Sequence, residues 1–109
     1  MSIFLGKLEQ IILDRKNNPS RESYTARLLE SGEDEIVKKV GEEAMEVILA
    51  AKGQGGERLI AEVADLLYHT LVLLVSQDLR IEDVEAELDR RHGEMRAIDR
   101  VSEDTLGGS

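Results

Sequence analysis

The sequence predicts an all-α fold, a four- to five-helix up-down bundle that oligomerises through its apolar fourth helix. Three observations predict it. A single proline, Pro19, stands in 109 residues, which leaves most of the chain free to be helical. Apolar residues recur at steps of three and four, the helical period, and no stretch alternates convincingly as a strand does. The breaks between these stretches are short, as in bundles of antiparallel neighbours. Aromatics are only 3%, so the core must be aliphatic. The length suits one domain, expected over residues 1–100, with a frayed tail at 101–109.

The first helix is expected from about Ser2 to Lys16, with Leu5, Leu8, Ile11 and Ile12 on its apolar face. Asn17-Asn18-Pro19-Ser20 breaks it. A short second helix spans about Ser23 to Leu29 and ends at Ser31-Gly32. The third runs from about Asp34 to Lys52, its apolar face marked by Ile36, Val40, Ala44, Val47 and Ala51. Gly53, Gly55 and Gly56 form the next turn, which lacks the Lys-Ser/Thr ending of a phosphate-binding P-loop. The fourth covers about Glu57 to Ser76. A fifth begins near Ile81 or Glu82 and reaches about Ile98, with Val84, Leu88 and Met95 on one side.

Lys and Arg number 14 against 23 Asp and Glu, a formal net charge of −9. So acidic a chain is not built to hold nucleic-acid phosphates or to dock on an anionic membrane. With no cysteine there is neither a disulfide framework nor a cysteine-based zinc site. No signal peptide is visible, and the apolar run Leu71 to Val75 falls far short of the roughly 20 residues that span a bilayer. The expectation is a soluble, cytoplasmic protein.

The acids on two helices are misplaced for a merely solvated face. On a wheel of the third helix, Lys39, Glu42, Glu43 and Glu46 share one arc of about 100°, which borders the apolar arc instead of opposing it. On the fourth helix, Glu62, Asp65 and His69 share an arc with Leu66 and Leu73, and apolar residues cover most of the rest. A helix so apolar lies in a core or an oligomer interface. Carboxylates entering such surroundings cost several kcal/mol each if unpaired. Arg58, one turn before Glu62, and Lys38 and Lys39 are the basic partners within reach. A cation answers the need better. The two helices, joined by Gln54-Gly55-Gly56, should pack antiparallel and present Glu42, Glu43, Glu46, Glu62 and Asp65 to one point. An all-oxygen set suits Mg²⁺ or Mn²⁺ rather than zinc. Because Mg²⁺ completes its shell with water and substrate phosphates, the cluster points to a polyphosphate substrate and attack of water on phosphorus. A carboxylate not committed to the ion would orient the water.

Glu42-Glu43-x-x-Glu46 followed by Glu62-x-x-Asp65 resembles the signature of the all-α nucleoside triphosphate pyrophosphatase (MazG-like) superfamily. Within it the chain looks most like the phosphoribosyl-ATP pyrophosphohydrolases of histidine biosynthesis. The resemblance rests on Ser23-Tyr24-Thr25 with Leu28-Leu29, on Lys39 to Ala44 with Glu46-Val47, on Glu62 to His69, and on Ile81 to Val84 leading into Leu88. It implies Mg²⁺-dependent release of pyrophosphate from phosphoribosyl-ATP. Carried over position by position, it implies Glu43, Glu46, Glu62 and Asp65 as metal ligands and Glu42 as a further ligand or the base. Lys39 would contact phosphate, and Tyr24, Thr25 and His69 would be substrate-binding. His69 would serve equally as a hydrogen-bond partner of the carboxylate arc, and Tyr24 and Thr25 as cap and packing residues.

Two rivals stand beside this reading. One is a house-cleaning pyrophosphatase of the same superfamily, acting on a non-standard nucleoside triphosphate. The other is a non-catalytic acidic oligomerisation module whose carboxylates are solvated or paired with bases. In each case the apolar girth of the fourth helix predicts a homodimer or a dimer of dimers.

Overall fold

The computed structural model describes residues 3–93. α1 spans Ile3–Asn17, α2 Tyr24–Ser31, α3 Glu33–Ala51 and α4 Gly56–Ser76. Helical backbone resumes over 81–93, here called α5. Among the described residues helices are the only regular secondary structure, so the all-α expectation holds. The expected reach of the fifth helix to Ile98, its residue Met95, the end of the domain at 100 and the tail 101–109 lie outside the described residues.

The helix ends follow from local chemistry. The Ser23 hydroxyl accepts the Ala26 N–H at 3.1 Å from an extended backbone, so it caps α2. α2 runs two residues past its expected end, to Ser31. One residue, Gly32, then joins it to α3. Its φ of 100° is a conformation that glycine adopts without strain, which allows so short a joint. Gly55, at φ 87°, does the same at the start of α4.

Ile12, Leu28, Ile36, Leu71, Val72 and Val75 form the buried core, with Leu5, Leu8, Tyr68 and Ile81 packed against it. The six buried residues come from α1, α2, the first turn of α3 and the second half of α4. α3 and α4 make the most extensive helix pair. They run antiparallel: Gln77, just past α4, donates to Glu33 at the start of α3 at 3.4 Å. The core therefore sits at one end of the hairpin. Ile11, expected on the buried face of α1, is exposed, because the core lies against Leu8 and Ile12 instead. The apolar girth of α4 is likewise only half covered within one chain: Ile60, Val63 and Leu67 are exposed.

By length and composition α4 is long and apolar enough to cross a membrane, which corrects the sequence estimate made from Leu71–Val75 alone. Here it packs on α1, α2 and α3. It also carries Glu62 and Asp65, acids that are costly in hydrocarbon.

Candidate active site

Glu43 on α3 and Glu62 and Asp65 on α4 each place one carboxylate oxygen so that all three lie within 4.8 Å of one another. The antiparallel hairpin produces this meeting. Glu62 and Asp65, three residues apart, share a face of α4, and the third carboxylate reaches them from the neighbouring helix. Glu62 is 4% exposed, Glu43 is half-buried and Asp65 opens to solvent. The Arg58 guanidinium stands 2.7 Å from Glu62 Oε1. The donor set suits a hard divalent cation, since it is all carboxylate oxygen.

The other acids singled out from the sequence stand outside this triad. Glu42 is exposed and pairs with Lys39 at 3.5 Å and Lys38 at 4.0 Å. Glu46, half-buried, lies one turn beyond Glu43 and supplies no oxygen to the group. Lys39 is held above the ordinary lysine value. Its electrostatic interaction with Tyr24 is the largest cause, and the Glu42 bond and the charges of Glu42 and Glu43 add to it against an opposing cost of desolvation.

A second cluster joins α2 to α4. His69 Nδ1–H donates to the Asp65 carbonyl oxygen at 2.8 Å. In the neutral ring Nε2 then accepts the Tyr24 hydroxyl proton across 3.1 Å. His69 is 7% exposed, whereas Tyr24 is open to solvent. The Thr25 and Tyr68 hydroxyls are hydrogen-bonded to each other. Burial pushes the Tyr68 phenol above its usual value, and the Thr25 bond opposes that rise. The Tyr68 and His69 rings meet edge-on at 4.9 Å. Tyr24, Thr25 and His69 thus belong to one network, tied through the Asp65 backbone to the carboxylate triad. Tyr68 is the member that the sequence reading gave no role. Its place beside His69, on the face toward α2, was the available signal.

A family model described as phosphoribosyl-ATP pyrophosphohydrolase matches residues 5–92. The chain is 53% identical over 88 residues to a phosphoribosyl-ATP pyrophosphatase of Clostridium acetobutylicum, covering 81% of this chain and 80% of that protein. To the phosphoribosyl-ATP pyrophosphatase of Geotalea daltonii it is 48% identical over 100 residues, 92% of this chain and 94% of the relative. To that of Pelotomaculum thermopropionicum it is 56% identical over 84 residues, 77% and 86% respectively. The matched span takes in the carboxylate triad and the Tyr24–His69 network alike, and with relatives this similar over most of their length, the chain belongs to the phosphoribosyl-ATP pyrophosphohydrolase family.

Proposed function

We infer that this chain hydrolyses phosphoribosyl-ATP to phosphoribosyl-AMP and pyrophosphate, a step of histidine biosynthesis, and that it does so in the cytoplasm with Mg²⁺ (or Mn²⁺). The family assignment supports the substrate. The observation that carries the mechanism is the convergence of Glu43, Glu62 and Asp65.

In this reading those three carboxylates would hold the cation, with Glu46, one turn beyond Glu43, as a further ligand. Mg²⁺ held there would supply the positive charge that a phosphoryl transfer needs. A water oxygen bonds to phosphorus, a P–O–P anhydride bond breaks, and the water's proton passes to a carboxylate. Glu42 is the acid free for that work, since it is solvent-facing and committed only to lysines. Lys39, held protonated, contacts phosphate. Tyr24, Thr25 and His69 line the nucleotide's approach, with the Asp65 carbonyl fixing the His69 ring. A second copy of the chain covers the exposed apolar side of α4, giving a homodimer or a dimer of dimers.

The test is pyrophosphate release from phosphoribosyl-ATP compared with a panel of nucleoside triphosphates, with and without Mg²⁺. Preference for phosphoribosyl-ATP and loss of release in chelator are expected. Turnover of the other nucleotides with phosphoribosyl-ATP left intact would overturn the substrate.

A further inference from the structure

The local chemistry of α4 does not account for Arg58. It lies in the first turn of the helix, where the helix dipole disfavours a cation. It precedes Glu62 by four residues, the weaker order for a helical ion pair, in which the acid is better placed first. Yet its guanidinium stands 2.7 Å from Glu62 Oε1, and that acid is nearly the most buried carboxylate described. The demand comes from Glu62. A carboxylate with 5% of its side chain exposed needs a positive partner, and Asp65 and Glu43 beside it only deepen the need. Either a guanidinium or a divalent cation meets it, and both would draw on the one Glu62 carboxylate.

We propose that Arg58 is a placeholder for the cation: its guanidinium neutralises the Glu62 carboxylate until a divalent ion takes over that role, and so it sets the cation affinity of the free protein. The inference rests on the metal reading of the triad. It concerns a residue that supplies no ligand. Arg58 lowers affinity twice over, by competing for the Glu62 carboxylate and by placing a positive charge next to the ion's position. Its side chain is 55% exposed, so it is free to swing into water once released. A consequence is that the ion loads best together with substrate phosphates, which give the displaced guanidinium an anionic neighbour.

Mn²⁺ binding to the full chain without substrate, followed by electron paramagnetic resonance, tests this. Arg58→Gln, which keeps a good helix former, is expected to bind Mn²⁺ roughly three- to tenfold more tightly than the unaltered chain. Its metal-free melting temperature should be lower and its gain on adding Mn²⁺ larger. Arg58→Lys, which keeps the charge, should stay within about twofold of the unaltered chain. Equal or weaker Mn²⁺ binding by Arg58→Gln overturns the proposal while leaving the metal reading intact. Absence of Mn²⁺ binding by the unaltered chain overturns both.

Discussion

Glu9 of α1 and Arg80, at the entry to α5, are joined by a 2.9 Å hydrogen bond that spans 71 residues of sequence. The other oxygen of Glu9 accepts the Ile81 N–H at 2.5 Å. Glu9 is 2% exposed, so the first turn of α5 is capped by a buried acid from another helix. Lys16, further along α1, donates to the Val75 carbonyl at 3.1 Å and to Asp78 at 2.7 Å across the same junction. Removing the Glu9 carboxylate leaves the Ile81 N–H without its acceptor. Glu9→Ala is expected to lower the melting temperature by roughly 5–10 °C, and Glu9→Gln, which keeps an acceptor, by less. Thermal denaturation by circular dichroism decides it. Equal melting of Glu9→Ala and the unaltered chain would show that α5 is held by other contacts.

The sequence already contained this latch, unread. On a wheel of α1, Glu9 and Lys16 fall between Leu5 and Leu13, inside the apolar arc. A charged residue there asks for a partner, but the partner lies beyond α4, and helical periodicity says nothing of which distant residue arrives. Helix extents were legible to within a residue or two because caps and glycines act locally, at Ser23, Gly32 and Gly55. The same holds for the site. Spacing alone put Glu62 and Asp65 on one face of α4. The choice of Glu43 over Glu42 as their neighbour depends on how α3 is rotated against α4, which no single-helix wheel supplies.

Asp65→Asn tests the triad. Asp65 is exposed, so its amide is tolerated without a folding cost, and removing one of three close negative charges relieves repulsion in the metal-free chain. The variant should melt at or slightly above the unaltered chain without metal. Pyrophosphate release should fall by about 100-fold or more. The unaltered chain should gain about 2.7 kcal/mol from Mg²⁺ at one hundred times its dissociation constant, and the variant far less. Melting scans with and without Mg²⁺, beside a turnover assay, check both. An Asp65→Asn protein at full activity would remove Asp65 from the metal site.

Alkaline pH should weaken the fold through Tyr68. Burial raises its folded value above the ordinary 10.0, so between the two values the folded chain binds the proton more tightly than the unfolded chain. Its contribution is fully present below pH 10.0 and is lost as pH rises through the folded value. Lys39, raised from 10.5, acts with the same sign at slightly higher pH. Urea midpoints should hold steady up to the tyrosine range and then fall. Tyr68→Phe, weaker at neutral pH for want of the Thr25 bond, should show a shallower alkaline slope. Identical slopes in the two proteins would refute the assignment to Tyr68.

Ile60, Val63, Ala64 and Leu67 recur at steps of three and four along α4, and all are exposed, Ile60 to 72%. The radius of gyration is 18.0 Å, against about 13 Å for a compact chain of this length. One chain thus leaves an apolar stripe open beside its own carboxylates, which the proposed homodimer or dimer of dimers would cover. Each such side chain is worth about 1.5–3 kcal/mol when buried. A charge placed in the seam would cost several kcal/mol unless it found a partner. Light scattering is expected to give a dimer or tetramer for the unaltered chain and a monomer for Leu67→Glu; a monomeric unaltered chain would end the idea. Leu67 lies two residues from Asp65, so the same variant also reports on the site. If the monomer still binds Mn²⁺ but no longer releases pyrophosphate, the cation is held within one chain and the nucleotide between two. If it keeps turnover, each chain works alone and the seam serves only to cover α4.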